Sequence, residues 1–135
     1  MIGITNAHPR KRFPGAPIRL LVAKVLRGEG KRAGDISVVF TDHRRMRRLN
    51  WQYLHHRSTT DTIAFPLGET DRVEGEVFIN LDQAARQANE YHVTAAAEIR
   101  RLVIHAVLHL CGYDDVTARK KAMMTKLEDR YLGLR

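Results

Sequence analysis

Residues 94–115 read TAAAEIRRLVIHAVLHLCGYDD. The run from Ala95 to Cys111 holds no proline or glycine. Thr94 suits an N-cap and Gly112 suits the position just past a helix end. The spacing predicts one long helix with His105 and His109 at i and i+4, one turn apart on the same face. Gly112 lets the chain turn back, and Asp115 returns ten residues after His105, where it can join the two imidazoles. Asp114 competes with it for that role. Cys111 lies about 200° around the helix from His109 and is expected to be a packed residue.

Two histidines at this spacing are also what a buried, hydrogen-bonded pair would give. The glycine stop and the carboxylate beyond it favour a metal site instead. In the metzincin pattern H-E-x-x-H-x-x-G-x-x-H the ligands stand at offsets 0, 4 and 10 and the glycine at 7. Here those offsets hold His105, His109, Asp115 and Gly112. The glutamate that activates water in the proteases follows the first ligand, and here that residue is Ala106. A metal scaffold without the peptidase base is therefore expected.

Outward from this helix the pattern alternates between strands and helices. Ile2 and Ile4 mark a first strand, RKRFPGAP a basic turn, and Ile18, Leu21, Val22 and Val25 a helix from Pro17 to Leu26, with Gly28 as its stop. ISVVFT (36–41) reads as a buried strand, after which Thr41 caps a helix to about Leu54. TDTIAFP (60–66) and GEVFINL (75–81) are further strands. A short helix follows, with Ala84, Ala85, Ala88 and Tyr91 inward. A last helix starts near Thr117 and buries Met124, Leu127 and Tyr131. Tyr53 is expected in the core, and Asp61 to cap or pair near its strand. The expected fold is a single compact α/β domain over residues 1–135. It has about four strands in a mixed sheet packed with helices, and a zincin-like metal helix.

The chain has 135 residues, enough to bury a core without staples. Its single cysteine excludes an internal disulfide, and the absence of a long apolar run excludes a membrane span. No secretory signal is legible at the start, and a cytoplasmic location is expected. Twenty-three Lys and Arg against fifteen Asp and Glu give a charge of +8, which points to a polyanion such as nucleic acid. Arg44, Arg45, Arg47 and Arg48 form a phosphate-contacting stripe or a solvated helix face.

At HAVLHLCGYDD the chain resembles the YbeY family of bacterial endoribonucleases, whose signature has the form H-G-x-L-H-L-x-G-Y-D-H. LNWQYLHHRSTTDTIAFP and GEVFINLDQAARQANEYHVTAAAEIRRLVIH are similar to the segments that lead into it. The match runs from about Ile36 to the end and is weak over the first 35 residues. The resemblance implies a metal-dependent, single-strand-specific endoribonuclease acting in small-subunit ribosomal RNA maturation and ribosome quality control. It implies one zinc-like ion held by His105 and His109 in a basic cleft.

Three departures stand out. Asp115 replaces the third histidine, Ala106 replaces a glycine, and Leu54 stands where many members have an arginine, with Arg57 three residues on. The carboxylate lowers the charge of a zinc site from about +2 to +1, so its water should be less acidic. It also makes other divalent transition metals, such as iron or manganese, more acceptable. The candidate RNA contacts are the four arginines with His55, His56 and Arg57. Arg57 and Arg101 are the candidate catalytic side chains. Trp51 is a candidate stacking residue, Glu98 is read as structural, and the general base is unassigned. The alternatives are a catalytically weak RNA- or ribosome-binding factor whose metal is structural or lost, and a zincin-like hydrolase of another substrate class.

Overall fold

In the computed structural model, which describes residues 1–68 and 71–134, four strands and five helices follow in the order β1 (Ile2–Asn6), α1 (Gly15–Gly28), β2 (Arg32–Thr41), α2 (His43–Leu54), β3 (Thr62–Pro66), β4 (Arg72–Asn80), α3 (Leu81–Glu90), α4 (Ala95–Leu110) and α5 (Ala118–Leu132). The sheet order is β1-β2-β4-β3. β1, β2 and β4 run parallel, and β3 pairs antiparallel with β4 and forms an edge. The expected single α/β domain with a mixed four-stranded sheet is what forms.

Period-two alternation divides the sheet between two cores. Val38, Phe40, Val77 and Ile79 face the larger core with α1, α3, α4 and α5, whereas Val39, Phe78 and Ile63 pack with Met46 of α2 on the other face. α4 is the central helix of the larger layer, burying Ile99, Leu102, Val103, Ile104, Ala106, Val107 and Leu108. Ala106, which follows the first histidine, is fully buried there. No helix of the described residues is long and apolar enough to cross a membrane.

Several local expectations are corrected. α2 is capped by Asp42, whose side chain accepts from the Arg45 N–H at 2.9 Å, not by Thr41, which is the buried last residue of β2. α1 begins two residues before Pro17, which then falls in the first turn, where its missing N–H costs nothing. β2 and β4 begin earlier than their apolar stretches because Arg32 and Ala33 pair with Arg72 and Val73 ahead of a bulge. The charged Arg32 and Arg72 mask these starts in the sequence, although Val73 is buried in the core. In α3 the inward positions are Leu81, Ala84 and Ala88; Ala85 falls about 65° from the centre of that line and is exposed, and Tyr91 lies past the last turn, exposed. Tyr53 is 56 % exposed, packed edge-on against Phe65 at the rim of the sheet, because no element beyond β3 covers it.

The N-terminal basic turn is tied down at the start of α3. Buried His8 accepts backbone N–H groups of Arg10 and Lys11 on Nδ1, so its Nε2–H donates to Asp82 at 2.8 Å. Lys11 and the His43 N–H also donate to that carboxylate. Burial pushes the Asp82 carboxyl up, but these donors together outweigh it and hold it at about 2. A depressed carboxyl stabilises the fold above its unfolded pKa and loses that contribution as pH falls through the folded value. Asp82→Asn is expected to cost about 1 kcal/mol at pH 7, after solvent screening of this partly open site, with the difference vanishing near pH 2. Urea denaturation of both proteins across pH 2–7 checks it.

Candidate metal centre

The C-terminal end of α4 closes with two backbone bonds, Tyr113 N–H to the Leu108 carbonyl (3.1 Å) and Gly112 N–H to the His109 carbonyl (3.0 Å). Gly112 sits at φ +104°, outside the ordinary range of other residues. This Schellman turn sends residues 113–115 back over the helix face that carries the histidines. The Nε2 atoms of His105 and His109 face each other at 3.1 Å, and Asp115 Oδ2 lies 3.6 Å from His105 Nε2. One nitrogen from each imidazole and one Asp115 oxygen all fall within 4.8 Å of one another. Asp114 is committed elsewhere: its carboxylate accepts from the Val116 N–H and from Lys120. Of the two carboxylates, the structure therefore brings Asp115 to the pair.

A second layer fixes His105. Its Nδ1 lies 2.6 Å from Glu128 Oε2, and the other Glu128 oxygen accepts from Arg101 Nη1 at 3.0 Å. Arg101 Nη2 donates to Asp129 at 2.6 Å. A carboxylate accepts only, so Nδ1 carries the proton and the Nε2 lone pair is left for the site. Burial draws the His105 pKa down, but the hydrogen bond and charge of Glu128, with Asp115 and Asp61, leave it raised. His109 has no such partner; burial and the neighbouring His105 hold it low, in the neutral form that binds metal. These donors fit a divalent transition ion: two imidazoles, one carboxylate, and a fixed tautomer on the more buried ring.

Glu128 was not singled out by the sequence pattern, although one signal was present. It stands on α5 between the buried Leu127 and Tyr131 and is itself buried, an acid on an otherwise apolar face. Arg101 has both terminal nitrogens occupied, so it acts through Glu128 rather than reaching out to a phosphate. Glu98 is 3 % exposed and accepts from Gln87 at 2.7 Å, in line with a structural role; burial, its largest influence, raises its pKa. Asp61 accepts its neighbour's backbone N–H at the head of β3 and also lines the acidic cavity beside His105, with Glu98, Asp115 and Glu128.

The turn that carries Asp115 is anchored from behind. Tyr113 donates to Glu29 at 2.6 Å, and Tyr131 donates to the other oxygen of the same carboxylate. Cys111 packs against the core, and burial pushes its thiol up to about 11, which leaves it protonated and inert.

On the other side of the pair, His109 lines a cleft of about 470 Å³ with Asn50, Leu54, His56, Ser58–Thr60 and strand β3. Of the sequence candidates for RNA contact, only His56 lines this cleft; none of Arg44, Arg45, Arg47, Arg48 and Arg57 lines either cavity beside the histidines. The four α2 arginines are exposed. His55 caps α2 in the left-handed conformation, and the Arg57 guanidinium lies 5.2 Å from the centre of the Trp51 ring. Leu54 puts an apolar side chain in the cleft wall.

An α/β domain whose central helix presents two convergent imidazoles, with a carboxylate returned by the next turn, has the donor set of a metallohydrolase. A family model described as endoribonuclease YbeY matches residues 4–134. An endoribonuclease YbeY of Chloroherpeton thalassium is 41 % identical over 96 % of this chain and 92 % of its own length. That of Salinibacter ruber is 35 % identical over 98 % and 90 %. The solution structure of TM1509 from Thermotoga maritima superposes with a TM-score of 0.67 at 23 % identity, covering 98 % of this chain and 87 % of that one. The chain belongs to the YbeY family, and the likeness extends through the first 35 residues, where the motifs alone were weak.

Proposed function

We propose that this protein is a metal-dependent, single-strand-specific endoribonuclease of the cytoplasm that matures small-subunit ribosomal RNA and takes part in ribosome quality control. The observation that carries the reading is the convergence of His105, His109 and Asp115 between two open cavities, one lined by His109 and the other by His105 and Asp115. It is joined by the endoribonuclease name of the relatives at 35–41 % identity. Those three side chains would hold one divalent ion, zinc first, with other transition metals admitted by the carboxylate. When bound, it supplies Lewis acidity to a phosphodiester oxygen and a nucleophilic water at neutral pH.

The chain's own residues do the rest. Glu128 holds the His105 tautomer, and Arg101 neutralises Glu128. The hydroxyls of Ser58, Thr59 and Thr60, with Asn50 and His56, offer hydrogen-bonding groups to a ribose-phosphate lying in the cleft. Arg57 is the remaining candidate for stabilising phosphate charge. Ala106 leaves the site without the metzincin glutamate, which disfavours peptide hydrolysis.

The test is cleavage of single-stranded RNA with and without chelator. Cleavage is expected to stop with chelator and return with added zinc. Full activity in protein shown to be metal-free would overturn the reading. Asp115→His is expected to raise preference for zinc over manganese, read by competition titration; an unchanged preference would remove Asp115 from the ligand set.

A further inference from the structure

α2 carries charges that nothing in the helix balances. HRRMRRLNWQYL holds four arginines and no acid. Arg44 and Arg45 stand in the first turn, where the helix dipole opposes cations, and Arg44 and Arg48 form a like-charge i,i+4 pair. None of the four makes an ion pair with a described residue. At 100° per residue, Arg44, Arg48 and Trp51 fall within about 60° of one another, with Arg47 on the flank. This stripe ends on an indole that is 49 % exposed, with the His55 ring edge-on at 5.8 Å and the Arg57 guanidinium over its face. One turn further on, Leu54 and His56 line the cleft that contains His109. The basic stripe and the indole therefore lead along α2 to residues that line the cleft holding His109.

We propose that this face is the track by which single-stranded RNA enters the cleft. Phosphates lie along Arg44, Arg47 and Arg48, and one unpaired base stacks on Trp51 beside Arg57. The inference rests on the endoribonuclease reading and deepens it. Stacking on an exposed aromatic accepts any base but requires it to be unpaired, and a row of cations in register with it takes the backbone. Continuity with the cleft favours RNA over an anionic lipid surface, which would have no use for that alignment.

Trp51 is the only tryptophan, so its fluorescence reports on this contact directly. The protein is titrated with a ten-nucleotide oligoadenylate in chelator, which keeps the RNA intact, and total binding is followed in parallel by anisotropy. Quenching of the indole that tracks binding is expected, with no quenching by a duplex of the same length. Trp51→Ala should weaken binding about tenfold, and Trp51→Phe should recover most of it. Arg44→Ala with Arg48→Ala should lower the slope of log affinity against log salt by roughly 1.4, at about 0.7 per phosphate contact.

RNA that binds and is cleaved with no indole response and no loss in Trp51→Ala overturns the track and leaves the nuclease reading standing. Absence of both binding and cleavage overturns both. Binding to phosphatidylglycerol vesicles without binding to the oligoadenylate overturns the track in favour of a membrane.

Discussion

His109→Ala is expected to abolish retention of metal and RNA cleavage while leaving the fold close to wild-type stability, whereas His105→Ala removes metal and destabilises the protein as well. The two imidazoles contribute equivalent donor atoms, but they are held differently. His109 has the other histidine as its side-chain neighbour and no carboxylate behind it. Its removal gives up only a hydrogen bond to the Tyr113 backbone, at a half-buried turn. His105 is bonded to Glu128, whose side chain is only 8 % exposed. Taking the imidazole away leaves that carboxylate oxygen without its donor, at a cost of about 1–3 kcal/mol. Loss of one of three protein ligands should weaken metal binding by more than the roughly 10–100-fold that outer partners contribute. Metal content by elemental analysis, with urea denaturation of the metal-free proteins, separates the two effects. A His109→Ala protein that still holds one metal per chain would remove this residue from the centre.

What could be read from the sequence follows from how local each feature is. The histidine pair and the return of Asp115 are legible because a helix repeat and one glycine turn fix both, within eleven residues. The spacing favours Asp115 over Asp114 only modestly, and what separates the two lies outside the motif. The choice depends on Lys120 and the Val116 N–H holding Asp114 away. Glu128 lies 23 residues from His105 and meets it only because α5 packs on α4. The same holds for Glu29, 84 residues from Tyr113. Arg101 stands one turn before His105 on α4, but whether it faces phosphate or protein is decided by two acids on a different helix. The exposure of Tyr53 likewise follows from the strand order, since only an edge position for β3 leaves that face of α2 uncovered. Helix faces and turns are written locally; second-layer partners are written by packing.

Glu128→Gln is expected to lower metal affinity about 10–100-fold with the fold retained. The reason is a conflict between two donors. In the wild type one carboxylate oxygen accepts from Arg101 and the other from His105 Nδ1–H. A glutamine offers one oxygen and one NH₂. Arginine is always protonated and cannot accept, so the amide oxygen must turn to Arg101 and the NH₂ to His105. His105 can meet an NH₂ only by exposing a lone pair on Nδ1, which moves its proton to Nε2. That nitrogen faces His109 and Asp115, so the site loses a lone pair without losing any side chain. The charge removed is small in stability terms because Arg101 keeps Asp129. Nitrogen NMR of the metal-free protein should show the His105 tautomer exchanged, and a competition titration should show the weakened affinity. Glu128→Ala makes a useful contrast. It leaves Arg101 and His105 each short of a partner and is expected to cost about 3 kcal/mol of stability, the low end for breaking a buried pair. The His105 tautomer in that variant is no longer forced, so its metal affinity should fall less than in Glu128→Gln. Equal loss of metal affinity in the two variants, both of which remove the carboxylate charge, would show that Glu128 acts by charge rather than by fixing the proton.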